Sequence, residues 1–160
     1  MTFKQFELAY NFHDCDVFMP FEINGDSVTV IFDLAKHLQY DHLKSHYGDL
    51  LQIEDNSLIV KARFSNCSNI QANEWEQSVS KKTRREERRN EKTILAEQFD
   101  SDMDFISLAV LGENKICFTF EKCGKQNKLG EIQFTCQDID IIEEKIYTKS
   151  EYEDLWNVCG

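Results

Sequence analysis

Apolar and polar residues alternate along many short stretches of the chain, and this period of two predicts β-strands because successive side chains of a strand point to opposite faces. The first such stretch predicts a strand over residues 4–12, whose apolar face consists of Phe6, Leu8, Tyr10 and Phe12. Residues 17–23 and 28–32 alternate in the same way. Asn24 and Gly25 lie between them, and both residue types tolerate the positive φ angles of a tight turn, so a hairpin is predicted here. Pro20 cannot donate a ladder hydrogen bond and indicates a sheet edge or a bulge.

Four further strands are predicted in the rest of the chain, at residues 58–64, 105–111, 116–120 and 132–136. The alternation slips by one residue after the last of them, which indicates a β-bulge or a break near residues 137–138. These strands follow one another in hairpin-like runs and do not alternate with helices.

Two stretches have helical spacing. Residues 35–51 predict one amphipathic helix against the sheet, with a stripe formed by Tyr40, Leu43, Tyr47 and Leu50. Thr148 precedes Glu151 by three positions, the spacing of a capping box, and predicts a short terminal helix with an apolar stripe formed by Tyr152, Leu155 and Trp156. The predicted fold is mainly β (α+β), an antiparallel sheet or sandwich of about eight strands with one or two packed helices, in a single domain over 1–160.

Composition agrees with a folded chain. Its 160 residues are 41% hydrophobic and include 12 Phe, which excludes global disorder. No window approaches about 18 consecutive apolar residues, and the first residues do not form the hydrophobic stretch of a signal peptide. We therefore expect a cytoplasmic protein without a membrane partner. Because the cytoplasm is reducing, we expect reduced and mostly buried thiols at Cys15, Cys67, Cys117, Cys123, Cys136 and Cys159.

The chain is strongly acidic, with 29 Asp and Glu against 18 Lys and Arg, a formal net charge of −11. This balance favours basic partners and argues against a nucleic-acid partner. Seven of the 18 basic residues fall within residues 80–92, together with three glutamates and no apolar side chain. We expect a charged exposed segment at about 78–100 that forms a solvated helix or a mobile loop. The alternative interpretation is a basic arm that contacts RNA through residues 81–92.

The four histidines do not predict a metal site. His42 and His46 are four residues apart and would share a helix face, but no glutamate follows the first as in HExxH, and His37 lies well round the helix from His42. His13 and Asp14 form an HD doublet, which in metal phosphohydrolases belongs to an all-helical domain. In this strand-rich chain the doublet predicts a structural turn, with Asp14 accepting backbone N–H groups and His13 donating to a carbonyl.

No catalytic motif is present in the sequence. It lacks a GxSxG elbow, a phosphate-binding GxxxxGK[ST] loop and a GxGxxG turn, and it has only six glycines. Cys15 lies between Asp14 and Asp16, which raises a thiol pKa instead of activating it. We predict a protein that is not an enzyme, with no catalytic residues, no cofactor, no metal and no indicated small-molecule ligand.

Two regions carry a family resemblance. The first region resembles the start of small β-rich bacterial proteins and consists of residues 12–17 (FHDCDV), the turn at 24–26 (NGD) and the strand at 27–33. Those proteins open with an HD doublet that is followed by a small residue, an acidic or polar residue and an aliphatic residue. Residues 130–141 are similar to their closing strands. Such proteins occur as immunity proteins beside polymorphic or contact-dependent growth-inhibition toxins.

The resemblance implies a toxin inhibitor that acts by protein–protein interaction. Immunity proteins neutralise a cognate toxin domain by binding it, and an acidic inhibitor suits a basic nuclease. The sequence does not identify the partner-binding residues. The alternatives are an acidic adaptor or binding module of another pathway and an RNA-contacting protein.

Overall fold

The computed structural model describes residues 1–79, 81–122 and 127–159, and the side chains of all of these except Val79 and Cys159. Within these residues it contains ten strands and three α-helices, so the fold is mainly antiparallel β of the α+β type, as predicted, with two strands more than expected. The chain forms two compact units. The first unit is Met1–Asn66 with Gln137–Gly160, and the second is Cys67–Cys136. The single-domain assignment stays a prediction.

The elements follow one another along the chain, with short 3₁₀ helices at Lys36–Leu38, Gly48–Gln52 and Ala96–Gln98. In chain order the helices and strands are α1 Phe3–Ala9, β1 Asp16–Val17, β2 Glu22–Asn24, β3 Ser27–Leu34, α2 Asp41–Tyr47, β4 Ser57–Ser65, β5 Ser68–Val79, β6 Glu86–Ile94, β7 Asp104–Leu111, β8 Lys115–Glu121, β9 Lys128–Thr135, β10 Asp138–Tyr147 and α3 Lys149–Cys159. None of the described helices is long and apolar enough to cross a membrane.

The sheet of the first unit has the order β1, β3, β4, β10, and β2 pairs with β3 beyond the end of β1. The turn of the predicted hairpin is confirmed, because Asn24 pairs with Ser27 and Gly25 turns the chain with a φ angle of +59°. The first arm predicted over residues 17–23 is instead divided into β1 and β2. Pro20 lies between β1 and β2 on the outer edge of β3, where no ladder N–H is needed. Its predicted edge position is therefore correct.

The predicted strand over residues 4–12 is wrong, because this segment contains α1. Thr2 Oγ1 accepts from the Gln5 N–H at 3.2 Å, and Gln5 Oε1 accepts from the Thr2 N–H at 2.8 Å, which completes a capping box. Phe3, Phe6 and Tyr10 are buried, at spacings of three and four, whereas Leu8 is 66% exposed. The helical spacing of the large aromatic residues outweighs the alternation of smaller ones.

Phe6 is at the centre of an aromatic cluster between α1 and the sheet. It is 1% exposed, and its ring centroid lies 4.7 to 5.9 Å from those of four neighbours: Tyr10, Phe12, Phe32 and Phe64. Edge-to-face and tilted ring pairs at these distances are favourable beyond the area they bury. This cluster fixes α1 on the first sheet.

The single helix predicted over 35–51 is divided into three short pieces. Gly48 has a φ angle of +55°, which L side chains rarely adopt, and it ends α2 after Tyr47. As a result the apolar stripe is interrupted: Leu43 is buried, but Leu50 is 49% exposed and Leu51 is buried in its place. The terminal helix α3 is as predicted, because the Glu151 N–H donates to Thr148 Oγ1 at 3.4 Å and the Thr148 N–H donates to Glu151 Oε1 at 3.2 Å.

The sheet of the second unit has the order β6, β5, β9, β8, β7. One of its faces carries fully buried side chains of Ile116, Phe118, Phe120, Ile132 and Phe134. Gly130 on β9 allows close packing here, because a Cβ at this position would lie 2.8 Å from Phe99 Cε2. The Phe99 ring packs against this face, with its centroid 4.9 Å from that of Phe120 and the two rings tilted by 55°.

The prediction of a solvated helix or a mobile loop is wrong over residues 86–94 of the charged segment, and Ala96 and Phe99, within its predicted bounds of 78–100, are buried. Residues 86–94 form β6, which pairs antiparallel with β5, while Ser80 lies outside the described residues. Side chains from Glu86 to Thr93 are exposed. Pairing satisfies those peptide groups of this edge strand that point towards β5, so the strand forms without apolar side chains. A bulge between Glu74 and Glu76 accommodates Asn90, whose φ angle is 52°.

Along the chain, the second unit is inserted between β4 and β10, which pair with each other in the first unit. Ser65 at the end of β4 pairs with Asp138 at the start of β10, and Ser68 at the start of β5 pairs with Thr135 at the end of β9. The break predicted near residues 137–138 is confirmed, since it is the connection between β9 and β10.

Candidate functional site

The acidic charge of the protein is concentrated in the first unit. Met1–Asn66 and Gln137–Gly160 contain 17 Asp and Glu against 7 Lys and Arg, a net charge of −10. The second unit has 12 acidic and 11 basic residues, a net charge of −1. Nearly all of the net charge therefore belongs to one folded unit.

Most carboxylates of the first unit are exposed, while several of its cations are engaged. Thirteen of the 17 acidic side chains are exposed. Arg63 lies 3.7 Å from Asp140, and Lys145 donates to Glu151. The charge of this unit is thus directed outward and can attract a cationic partner.

Two cations of β6, Arg88 and Lys92, lie near acidic side chains. Arg88 lies over the ring of the buried Trp75, with its Cζ 3.9 Å from the centroid. The same guanidinium is 3.4 Å from Glu91 and 3.8 Å from Glu131. Arg88 is held in place as part of the second unit's own structure.

A groove of about 740 Å³ lies on the second unit along β5, β6 and the start of β9. Glu74 at this groove is 7% exposed, and its Oε2 is 3.7 Å from Lys92 Nζ and 3.8 Å from Lys128 Nζ. Asn90 Nδ2 donates to the carboxylate of Glu76 at 3.2 Å in the same groove. Carboxylates among the cations weaken attraction to a polyanion, which argues against RNA as its occupant.

A carboxylate held by two phenols forms a polar cluster in the first unit. Tyr10 Oη donates to Glu144 Oε1 at 2.6 Å, and Tyr47 Oη donates to Glu144 Oε2 at 2.5 Å. Burial and the hydrogen bond to Glu144 raise the pKa of both tyrosines well above the ordinary value. These contacts join the ends of α1 and α2 to β10, and we call them the Glu144 clamp.

His42 and His46 lie beside the Glu144 clamp, at a cavity of about 320 Å³. His42 Nε2 is 3.0 Å from the carbonyl oxygen of Ala9, so it carries the proton and donates, while the His46 ring packs edge-on against Tyr47 at 4.7 Å. His37 is exposed on the 3₁₀ helix before α2. Among the described residues, no three His, Cys, Asp or Glu side chains are grouped so that they could hold a metal ion.

His13 and Asp14 lie in a turn between α1 and β1. The Cys15 N–H donates to the Phe12 carbonyl at 3.3 Å, and Asp14 has a φ angle of 54°. The His13 N–H donates to the side chain of Asn11 at 2.9 Å, so an asparagine that sequence reasoning missed supports this turn. His13 Nε2 and Asp14 Oδ2 are 3.8 Å apart, and both side chains are largely exposed.

Two of the described thiols, those of Cys15 and Cys117, lie in settings that keep them protonated. Burial, together with the charge of Asp16, raises the pKa of Cys15 to about 12. Burial and Glu131 raise the pKa of Cys117 to about 11. Cys67 and Cys136 are buried as well, whereas Cys123 and the side chain of Cys159 lie outside the described part of the chain.

Comparison with protein-family models, with curated proteins and with solved structures found no match for this chain. The similarity of residues 12–33 and 130–141 to immunity proteins stays a prediction. Function is therefore inferred from the charge distribution, the exposed surfaces and the contacts described above.

Proposed function

We propose that this protein is a cytoplasmic immunity protein that binds and neutralises a cognate bacterial toxin domain, a basic nuclease, without catalysis. The observation that supports this proposal is the segregation of charge: the first unit has a net charge of −10 and the second a net charge of −1. A nuclease domain is basic because its substrate is a polyanion. An acidic unit with outward-facing carboxylates complements such a surface.

The charge sets how fast the partners meet. Electrostatic attraction acts over about 10 Å at 0.1 M ionic strength, so the association rate should fall as salt is added. Close contacts at the centre of the interface set the dissociation rate, and salt screens them weakly. We therefore expect the association rate to depend on salt more strongly than the dissociation rate.

Co-expression tests the proposal. Bacteria that express the toxin domain encoded beside this gene should grow only when this protein is present, and the two purified proteins should form a stoichiometric complex. Absence of rescue, with both proteins expressed and folded, would reject the immunity function. Rescue without a complex would reject direct binding.

A matched variant separates this proposal from the RNA-contacting alternative. Lys81, Lys82, Arg84 and Arg85 are exposed at the connection between β5 and β6, so their neutralisation should leave rescue unchanged. Loss of rescue together with loss of salt-sensitive RNA binding in this variant would favour the RNA-contacting protein. A stable complex with an unrelated protein and no protection from toxin would favour the adaptor.

A further inference from the structure

The segment between α2 and β4 exposes two large aliphatic side chains. We call residues 49–56 the 49–56 loop; Leu50 and Ile53 in it are 49% and 51% exposed. Leu51 between them is buried and anchors the segment to the first unit. Single exposed aliphatic residues are common, but here two of them lie three positions apart on one short segment.

Two half-buried polar side chains, those of Lys36 and Asn56, hold this loop in one conformation. The ammonium group of Lys36 donates to three backbone carbonyls, those of Ile53, Glu54 at 3.1 Å and Asn56 at 2.7 Å. Asn56 Nδ2 donates to the Leu50 carbonyl at 3.1 Å, and the Asn56 N–H donates to the Ile53 carbonyl at 3.1 Å. Because the loop is already ordered, binding through it does not require a further loss of backbone entropy.

Carboxylates flank the two aliphatic residues along the chain. Asp49, Glu54 and Asp55 belong to the same loop and are exposed. The ammonium group of Lys36, which contacts the loop, is occupied by backbone carbonyl groups. An apolar centre with a charged rim is the usual organisation of a protein-binding surface.

We propose that the 49–56 loop is the docking surface for the toxin, with Leu50 and Ile53 inserted into an apolar recess of a cationic protein and with Asp49, Glu54 and Asp55 meeting its Lys and Arg side chains. This inference rests on the proposed function and specifies which part of the first unit makes the contact. The ordered apolar pair supplies close packing, and the carboxylates supply attraction and orientation.

The negative rim selects this occupant over others. A second copy in a two-fold contact would place the same patch against itself, so the three carboxylates of each copy would face one another. Nucleic acid and anionic membranes carry the same sign of charge as the rim. A cationic protein is the class of partner that gains from both parts of the surface.

The test measures binding of the purified chain to the purified toxin domain by surface plasmon resonance. The variant Leu50→Ser with Ile53→Ser should raise Kd at least about 30-fold, mainly through faster dissociation, as expected for residues at an interface centre. The matched control is Leu8→Ser with Ile142→Ser, which removes two aliphatic side chains of the same unit that are 66% and 45% exposed. The control should change Kd less than about threefold.

A second pair of variants tests the rim. Asp49→Asn, Glu54→Gln and Asp55→Asn together should lower the association rate about tenfold at low salt. Glu7→Gln, Asp14→Asn and Asp26→Asn remove the same charge from other exposed sites of this unit and should lower it less.

The outcomes are distinguishable. If the unaltered chain does not bind the toxin, the proposed function fails and the docking surface with it. If the unaltered chain binds and the Leu50 and Ile53 variant binds as tightly, only the docking surface is overturned. If this variant instead changes the oligomeric state of the chain alone, measured by light scattering, the loop is a contact between copies and the inference is overturned.

Discussion

Removing the phenol groups of the Glu144 clamp should destabilise the first unit. The perturbations are Tyr10→Phe, Tyr47→Phe and both together, each of which keeps the aromatic ring and removes one donor to the carboxylate. A hydrogen bond to a charged group contributes about 1.5 to 3 kcal/mol. Glu144 is half-buried beside a cavity that admits water, so the lower figure of about 1.5 kcal/mol applies to each single variant.

The double variant should lose more free energy of unfolding than the two single variants lose together. Both phenols share one carboxylate, and when one is removed the other becomes its main donor at 2.5 to 2.6 Å. We expect a coupling of about 0.5 to 1 kcal/mol and a total loss of about 3.5 to 4 kcal/mol. The matched control is Tyr40→Phe, because that phenol donates to the neutral carbonyl of Glu7 at 3.3 Å and is 41% exposed. It should cost less than about 0.5 kcal/mol.

The assay is urea unfolding followed by tryptophan fluorescence. The chain has two Trp residues, Trp75 in the second unit and Trp156 in the first, so a common Trp75→Phe background makes the signal specific to the first unit. Single variants with the same free energy of unfolding as their parent would refute a stabilising role of the clamp. If Tyr40→Phe lowered the free energy of unfolding as much as Tyr10→Phe does, the charge on Glu144 would not contribute to the stability that its phenol donors provide.

Two further predictions concern alkali and the 49–56 loop. Burial raises the pKa of Cys117 from 9.0 to about 11, that of Cys15 from 9.0 to about 12 and that of Tyr152 from 10.0 to about 12. These groups therefore stabilise the folded state fully below pH 9, and their contribution is lost as the pH rises towards 12. The urea midpoint should therefore fall between pH 9 and 11, and a flat profile would contradict this. Lys36→Met should accelerate amide hydrogen exchange in residues 50–56 while the core of β4 stays protected, and unchanged exchange would show that Lys36 does not order the loop.

The sequence predicted the antiparallel strands where alternation and turn residues agreed, as in the hairpin at Gly25 and in β4, β7, β8 and β9. It failed over residues 4–12, where alternation was accidental and the helix depended on Thr2 and Gln5 outside the apolar pattern. It also failed at β6, because a strand whose side chains are exposed has no apolar periodicity to detect. Pairing with β5 determines that strand, and pairing is not a local property of the chain.

The functional surfaces were less predictable than the fold. Leu50 fitted the apolar stripe of a longer helix, and only the positive φ angle of Gly48 reveals why it is exposed. The contact between Lys36 and the carbonyls of residues 53–56 joins backbone groups, which leave no trace in side-chain identity. Glu144 could not be singled out among many acids, since its two tyrosine donors come from the ends of other elements.

The insertion of the second unit has a consequence for the order of folding. Pairing of β4 with β10 must close a loop of about 70 residues when the inserted unit is unfolded, and this costs about 2.5 kcal/mol more than closing a loop of about four residues. Once Ser68 has paired with Thr135, only Asn66, Cys67, Cys136 and Gln137 separate that pair from Ser65 and Asp138. Folding of the inserted unit therefore shortens the loop that pairing of β4 with β10 must close. We expect β10 to join the sheet of the first unit quickly after the inserted unit has folded.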